Sequence, residues 1–486
     1  MSDYQDPVDL VRRSFILKSC AGIGALTLAE LMGMQVPAEA QEAGSPAPGK
    51  LPGILGAGHF PARAKRVIYL HMLGAISHVD TFDYKPMLEK MHGQDLPASV
   101  RNTQRLSTMT LGQTAFPIVG PLAKFKQCGK GGIWISDVLP NLSEIADELC
   151  VIKTMYTEHV NHDPAAKFLH TGFQLAGRPS NGAWVSYGLG SDNTNLPNYV
   201  VMTSGPGAAV PLDQAVWSSG FLPSHHQGVK FRSDGEPVLY VNNPNGINRE
   251  TRRSLLDALG GLAKSQQVVS KDPEILSRVS QYEMAYRMQA SVPEIADISN
   301  EPQHVLDMYG PTVKQDATFG RNCLLARRLA ERNVKFITLF HQGWDMHADI
   351  AKRLGPQCAE VDQPAAGLVK DLKQRGLLED TLVVFGSEFG RTPFAQGALQ
   401  PGFGRDHHGG CFTWWMAGGG VKAGYSHGET DDFSYSVAKD PVHIHDFNAT
   451  LLYILGIDHE RLRFRYQGRD FKLTDVAGKV VKEVLA

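Results

Sequence analysis

Asp345 and His347 stand two positions apart in H-Q-G-W-D-M-H, directly after the apolar run 334–340. A carboxylate and an imidazole at that spacing can chelate one divalent cation where the backbone is extended. Other segments bring the same residue types. Glu388 and Arg391 lie in G-S-E-F-G-R-T-P, and Asp406, His407 and His408 lie in the later G-R-D-H-H-G-G. His159 and His162 are three positions apart in E-H-V-N-H-D-P, while Ser77, His78 and Asp80 share G-A-I-S-H-V-D. Nitrogen and oxygen donors in this mixture suit one or two divalent cations, zinc or manganese ahead of calcium or magnesium. Such cations polarise an anionic ester and activate a water or a nucleophile. In that chemistry His78, Asp80, Asp345, His347, Glu388, Asp406, His407 and His408 are the candidate ligands. Arg391 would neutralise the transferred group through planar bidentate contacts, His159 and Ser77 would help hold substrate, and His162 or a metal-bound hydroxide would attack. Each group also has a plainer reading: Asp80 as a turn or cap residue, His159 and His162 as solvated loop histidines, Asp345 and His347 as an ion pair.

For these groups to act together, the elements carrying them must end at one place. The runs 66–73, 149–152, 334–340 and 381–385 are apolar and rich in β-branched residues, and each hands over to one of the polar segments. Strands alternating with helices imply an α/β fold with a mostly parallel sheet, whose carboxyl ends share one edge. The clusters are then expected to meet. In an extended loop His78 and Asp80 would point the same way. Pro164 suits the first turn of a helix capped by Asp163 and continuing to 175, which sets His162 at a helix N-terminus favourable to an anion. Asp446 is the expected cap of a later helix, with His443 and His445 at its entrance. Residues 252–289 have helical composition broken near Pro273, and 221–240, with His225 and His226, form a candidate cover for the site. The stretch 386–408 reads as one loop system.

At 486 residues with 42% hydrophobic content, the chain can bury a large core, as one large α/β domain or two smaller ones. A formal charge of −2 without a basic stripe argues against nucleic acid as a partner. Arg12-Arg13-Ser14-Phe15, an apolar run at 20–31 and Ala38-Glu39-Ala40 occur in the order of a twin-arginine export signal. The expected organisation is a signal over 1–40, a linker over 41–60 and a single domain over 61–486, in a periplasmic or extracellular protein. No later segment is long and apolar enough to span a bilayer. Beyond Cys20 there are five cysteines with no C-x-x-C spacing, so neither a disulfide framework nor a zinc knuckle is indicated.

The order of W-D-M-H, G-S-E-F-G-R-T-P, G-R-D-H-H-G-G and the closing H-D-F-N-A-T-L-L-Y-I-L-G-I-D-H-E closely resembles the exported family DUF1501, over nearly the whole chain after the signal. That family is placed with the alkaline phosphatase and sulfatase superfamily. The resemblance therefore implies a three-layer α/β/α sandwich with a metal site at the carboxyl edge of its sheet. It also implies that His162 occupies the position normally held by a formylglycine, serine or threonine nucleophile. A histidine there is a phosphate-accepting nucleophile, a metal ligand, or the mark of a lost hydrolytic mechanism. The C-x-P-S-R signature of formylglycine sulfatases is absent. The superfamily's late Asp-His ligand pair appears as Glu388-Phe389, retaining only the carboxylate, and its later isolated histidine matches His407 or His408; its first-strand aspartate is absent from the usual place, with Asp80 and His78 as the substitute from the next loop. The expected function is metal-dependent hydrolysis of phosphate or sulfate esters, with a small anionic ester or a sulfated or phosphorylated glycan as partner. The alternative is a relative that binds metal or sulfated glycan without turnover.

Overall fold

The computed structural model describes residues 53–486 apart from 206–209, 233, 234, 239–241 and 271. The twin-arginine segment and most of the 41–60 stretch lie outside the described residues. Within that stretch, Ile54 and Leu55 donate backbone hydrogen bonds to Tyr187 and Gly188, and His59 donates to Gly456.

Strand β1 (Arg66–Met72) is buried along its whole length. Its side chains alternate between two separate cores, Ile68, Leu70 and Met72 entering one and Val67 and Tyr69 the other. A strand covered on both faces needs no polar alternation, so its sequence reads as a continuous apolar run. The same holds for β2 (Leu149–Tyr156), β3 (Tyr199–Ser204), β5 (Phe336–His341) and β6 (Thr381–Gly386), with β4 (Val229–Lys230) at one edge. Two strands, β7 (Gly390–Gln396) and β8 (Gly404–His408), form an antiparallel ribbon of their own. The chain then re-enters the sheet as β9 (Phe412–Ala417), β10 (Tyr425–His427) and β11 (Val442–His443). Among the described residues the sheet has nine strands, ordered β10-β2-β9-β6-β1-β5-β3-β4, with β11 also on β2. Every pairing is parallel except those of β9.

Helices α1 (His162–Thr171) and α2 (Asn181–Leu189) cover one face, and α5 (Phe319–Glu331) and α6 (Ile350–Gln374) cover the other. Between them in sequence run α3 (Arg249–Ser270) and α4 (Pro273–Ala296), and α7 (Ile444–Ile454) joins α1 on its face. The result is the expected three-layer α/β/α sandwich.

Register places the strand ends together. His71 lies opposite Gly386, and Met72 and Ser204 both lie opposite His341. Strand β9 runs the other way and starts at this edge, with Phe412 opposite Met155, so the ribbon ahead of it is delivered there too.

Several local expectations are corrected. The 386–408 stretch is this ribbon rather than a loop. His78–Asp80 is a 3-10 turn rather than an extended segment. Helix α1 is capped at Asn161, not Asp163, and stops at Thr171 because Gly172 adopts φ +69. Helix α7 is capped by His443, whose ring accepts the His445 amide while Asp446 accepts the His443 amide. The five cysteines are free and buried, and no described helix is long and apolar enough to cross a membrane.

Candidate metal centre

Asp345 follows β5, His347 comes two residues later, His407 lies on β8, and His162 opens α1. Their approach depends on two glycines. Gly74, just past β1, has φ +110, and a Cβ there would lie 2.5 Å from the Asp345 amide nitrogen. A Cβ on Gly404 would collide with the His347 carbonyl, so the ribbon passes directly behind that histidine.

Asp345 Oδ1 lies 2.9 Å from His347 Nε2, 3.1 Å from His162 Nε2 and 3.3 Å from His407 Nε2. All four donor atoms fall within 4.8 Å of one another. The opposite nitrogen of each ring meets an oxygen. His162 Nδ1 is 2.5 Å from Glu388 Oε1, His347 Nδ1 is 2.5 Å from Gln396 Oε1, and His407 Nδ1 is 2.5 Å from the Val160 carbonyl. A carbonyl or carboxylate only accepts, so the Nδ1 atoms carry the protons and the Nε2 lone pairs face inward. His347 and His407 Nε2 lie 2.9 Å apart, and His162 Nε2 is buried without a hydrogen-bond partner. Lone pairs facing each other repel. A proton relieves one contact at a time, whereas a cation relieves all of them. Donor types and outer hydrogen bonds therefore fit a divalent cation held by three imidazoles and one carboxylate.

The local charge agrees. Burial alone would raise the Asp345 pKa, but hydrogen bonding from whichever imidazole carries a proton on Nε2, together with the Arg391 guanidinium, holds it far below the usual carboxylate range. Burial likewise works to raise Glu388, which His162 and His71 hold below its usual value. His407 is pushed down to about 4 by burial, against the pull of Asp345. For His162 burial is outweighed by Asp345 and Glu388, and its pKa rises. Two carboxylates against one guanidinium leave a net negative pocket around the imidazoles.

The family described as "Protein of unknown function (DUF1501)" matches residues 64–485. The chain belongs to the DUF1501 family. No curated protein matches it. Among solved structures, this DUF1501 chain is similar to the PsFucS1 sulfatase from Pseudoalteromonas sp., at 15% identity over 87% of this chain and 72% of that one, TM-score 0.36. It is similar to the lipoteichoic acid synthase LtaP from Listeria monocytogenes, at 9% identity over 92% and 80%, TM-score 0.36. A protein in the alkaline phosphatase superfamily from Vibrio parahaemolyticus shows 10% identity over 86% and 72%, TM-score 0.32.

Of the residues read from the sequence of this DUF1501 protein, the centre gathers His162, Asp345, His347 and His407, with Glu388 one layer behind. The others are engaged elsewhere. Arg391 is wholly buried, and its N–H groups go to the carbonyls of Gly74, Ala75, Trp344 and Arg405 and to Asp345 Oδ1 at 2.6 Å. It neutralises Asp345, and each of its three nitrogens is already hydrogen-bonded inside the protein. Its place on β7 explains this, since a strand directs it inward. Asp80 forms a buried bidentate pair with Arg405 at 2.8 and 3.0 Å and accepts the Ser77 hydroxyl at 2.5 Å, so neither Asp80 nor Ser77 faces the centre. Asp406 accepts from Ser107, Thr110 and the His407 amide. His408 Nε2 donates to the Tyr435 carbonyl at 2.8 Å, and its ring stacks on His78, which burial pushes down to about 4. Neighbouring residues on a strand point to opposite faces, so His407 can turn inward only if Asp406 and His408 turn away. His159 sets its ring against Phe168 at 4.8 Å and does not join His162. The proposed cover is also displaced. His225 meets Ser277 of α4 and His226 meets Ser186 of α2, beside a cavity of about 290 Å³ lined by Pro197, Gln227, Met284 and Met288.

Gln396 and the Val160 carbonyl escape a reading of the sequence. A lone glutamine in a ribbon carries no signal, and a backbone carbonyl carries none at all.

Proposed function

We propose that this chain is an exported, metal-dependent hydrolase of phosphate or sulfate esters, its cation held by His162, Asp345, His347 and His407. The observation that carries the reading is the convergence of three Nε2 atoms on Asp345 Oδ1, each ring fixed from behind by an acceptor. Asp345 and His347 keep about a fifth of their side-chain surface exposed, at 20% and 22%, which leaves the centre open to a ligand from solvent. A divalent cation there would polarise an anionic ester oxygen and lower the pKa of a water. The chain's own part is to hold that cation's ligands still. Glu388, Gln396 and Val160 fix the ring tautomers, and Arg391 keeps Asp345 ionised. His162, with Nδ1 committed to Glu388 and Nε2 inside the ligand set, serves as a ligand, so the attacking group is a water.

The test is elemental analysis of mildly purified protein with a panel of phospho- and sulfo-esters. About one equivalent of zinc or manganese, with turnover lost in His347→Ala, is expected. Metal-free protein with no turnover removes the reading. A second reading, metal binding without hydrolysis, is favoured by the four protein donors, which can complete a closed tetrahedral shell. One equivalent of metal with no turnover across the panel selects it.

A further inference from the structure

Behind Glu388 lies a pair of histidines that the proposed chemistry does not use. His71, on β1, and His170, in the last turn of α1, are both wholly buried. His71 Nε2 is 3.1 Å from Glu388 Oε2, and His71 Nδ1 is 3.3 Å from His170 Nε2. We propose that His71 and His170 are positioning residues for the cation centre: they fix Glu388, and through it the tautomer and direction of His162. The inference rests on the cation reading above.

The hydrogen bonds have one consistent direction. An ionised carboxylate only accepts, so His71 carries its proton on Nε2 and offers Nδ1 as an acceptor. His170 Nε2–H then donates to that Nδ1. On the other carboxylate oxygen, Glu388 Oε1 takes the Gly74 N–H at 2.8 Å and the His162 Nδ1–H at 2.5 Å. The His170 donor thus points at His71, those of His71, Gly74 and His162 point at Glu388, and His162 Nε2 is left to face the centre beside the Nε2 atoms of His347 and His407. The surroundings are aromatic: Phe340 lies 5.2 Å from both rings, and Tyr69 lies 5.2 Å from His170. An ionised carboxylate so deeply buried is costly unless its lone pairs are satisfied. Without the His71 donor, Glu388 Oε2 has no hydrogen-bond partner among the described residues, and the carboxyl group is free to rotate or to hold a proton. Either change loosens the Nδ1 contact that aims His162.

Outer partners of ligating histidines are worth about 10- to 100-fold in metal affinity. In His71→Phe the packing volume is kept and the donor removed. Its Zn2+ affinity, measured by competition with a chromophoric chelator, is expected to fall by about that factor. The visible absorption of the Co2+-loaded protein is expected to shift with it. His71→Gln retains an N–H at a similar reach and should recover affinity to within about threefold of wild type, a rescue that packing alone does not predict. His170→Phe should give a smaller loss of the same kind. Unfolding of the metal-free forms, followed in parallel, separates stability from affinity. Unchanged affinity in His71→Phe, or no recovery in His71→Gln, overturns the proposal. Should His71→Phe not fold, His170→Phe decides, and wild-type affinity and spectrum in that variant overturn it as well. Wild-type protein that takes up no Zn2+ ends the cation reading itself, whereas wild type that binds no better than His71→Phe ends this inference alone.

Discussion

Replacing Asp345 by asparagine keeps the shape of the side chain and removes the charge that faces three imidazoles and a guanidinium. Arg391 would then stand beside an amide, and the remaining ligands would be neutral. Metal content after dialysis is expected to fall from about one equivalent to under about a tenth, with the fold kept; retention of a full equivalent would place the cation elsewhere. Arg391 makes the complementary case. Arg391→Met leaves Asp345 and four backbone carbonyls without their donor inside the protein. Breaking a buried pair from one side costs about 3–5 kcal/mol. Urea unfolding should show a loss of that size. Wild-type stability with only weakened ester binding would instead restore Arg391 to the substrate-contacting role its sequence context suggests. At this scale residue type is legible and partner is not. Arg391, Asp80 and Asp406 all read as site chemistry, yet each is spent on internal neighbours far away in sequence. Asp80, for example, is paired with Arg405.

The strands were legible because burial on both faces writes itself as an uninterrupted apolar run, as in β1 and β6. Helix ends were less so. At α7 the cap is a histidine with Asp446 three positions in, and capping preferences alone favour the aspartate. The ribbon of β7 and β8 was missed because G-R-T-P-F-A-Q and G-R-D-H-H carry glycine, proline and charge, all ordinary marks of a loop. Its strand character decides which of Asp406, His407 and His408 faces the centre. The glycine after β1 is the matching constraint on the other side. Gly74→Ala must accept a positive φ and a contact with the Asp345 backbone, and strain of this kind costs about 1–3 kcal/mol. We expect that loss in urea unfolding together with weaker metal retention, because the displaced groups are the Asp345 backbone and the N–H that holds Glu388. Loss of stability with unchanged metal affinity would mean that the loop yields without moving the centre.

Across the whole molecule, the 18 histidines include a few that converge on the centre, several sealed in the core, and others, such as His92 and His304, that are exposed. Burial is the first cause holding His78 and His445 at about 4 and His226 and His408 at about 3. In the unfolded chain a histidine takes its proton near 6.5. Between about pH 6.5 and pH 3–4 the unfolded state therefore binds protons that the folded state refuses. The stability these neutral rings help to maintain is fully present above about pH 6.5 and is lost as the pH falls. Each contributes a slope of up to about 1.4 kcal/mol per pH unit, against a total stability of about 5–15 kcal/mol for an ordinary domain. Metal-free protein, in which acid release of a cation plays no part, should accordingly lose several kcal/mol between pH 6.5 and 5. His226 isolates the effect, since it lies against Ser186 and His225 and away from the centre. His226→Gln cannot take up the proton in either state. Its unfolding free energy, measured in urea at a series of pH values, should fall less steeply than that of wild type by about 1.4 kcal/mol per unit between pH 4 and 6. Equal slopes would show that His226 is already protonated in the folded protein, and that its burial is relieved by a partner or by water.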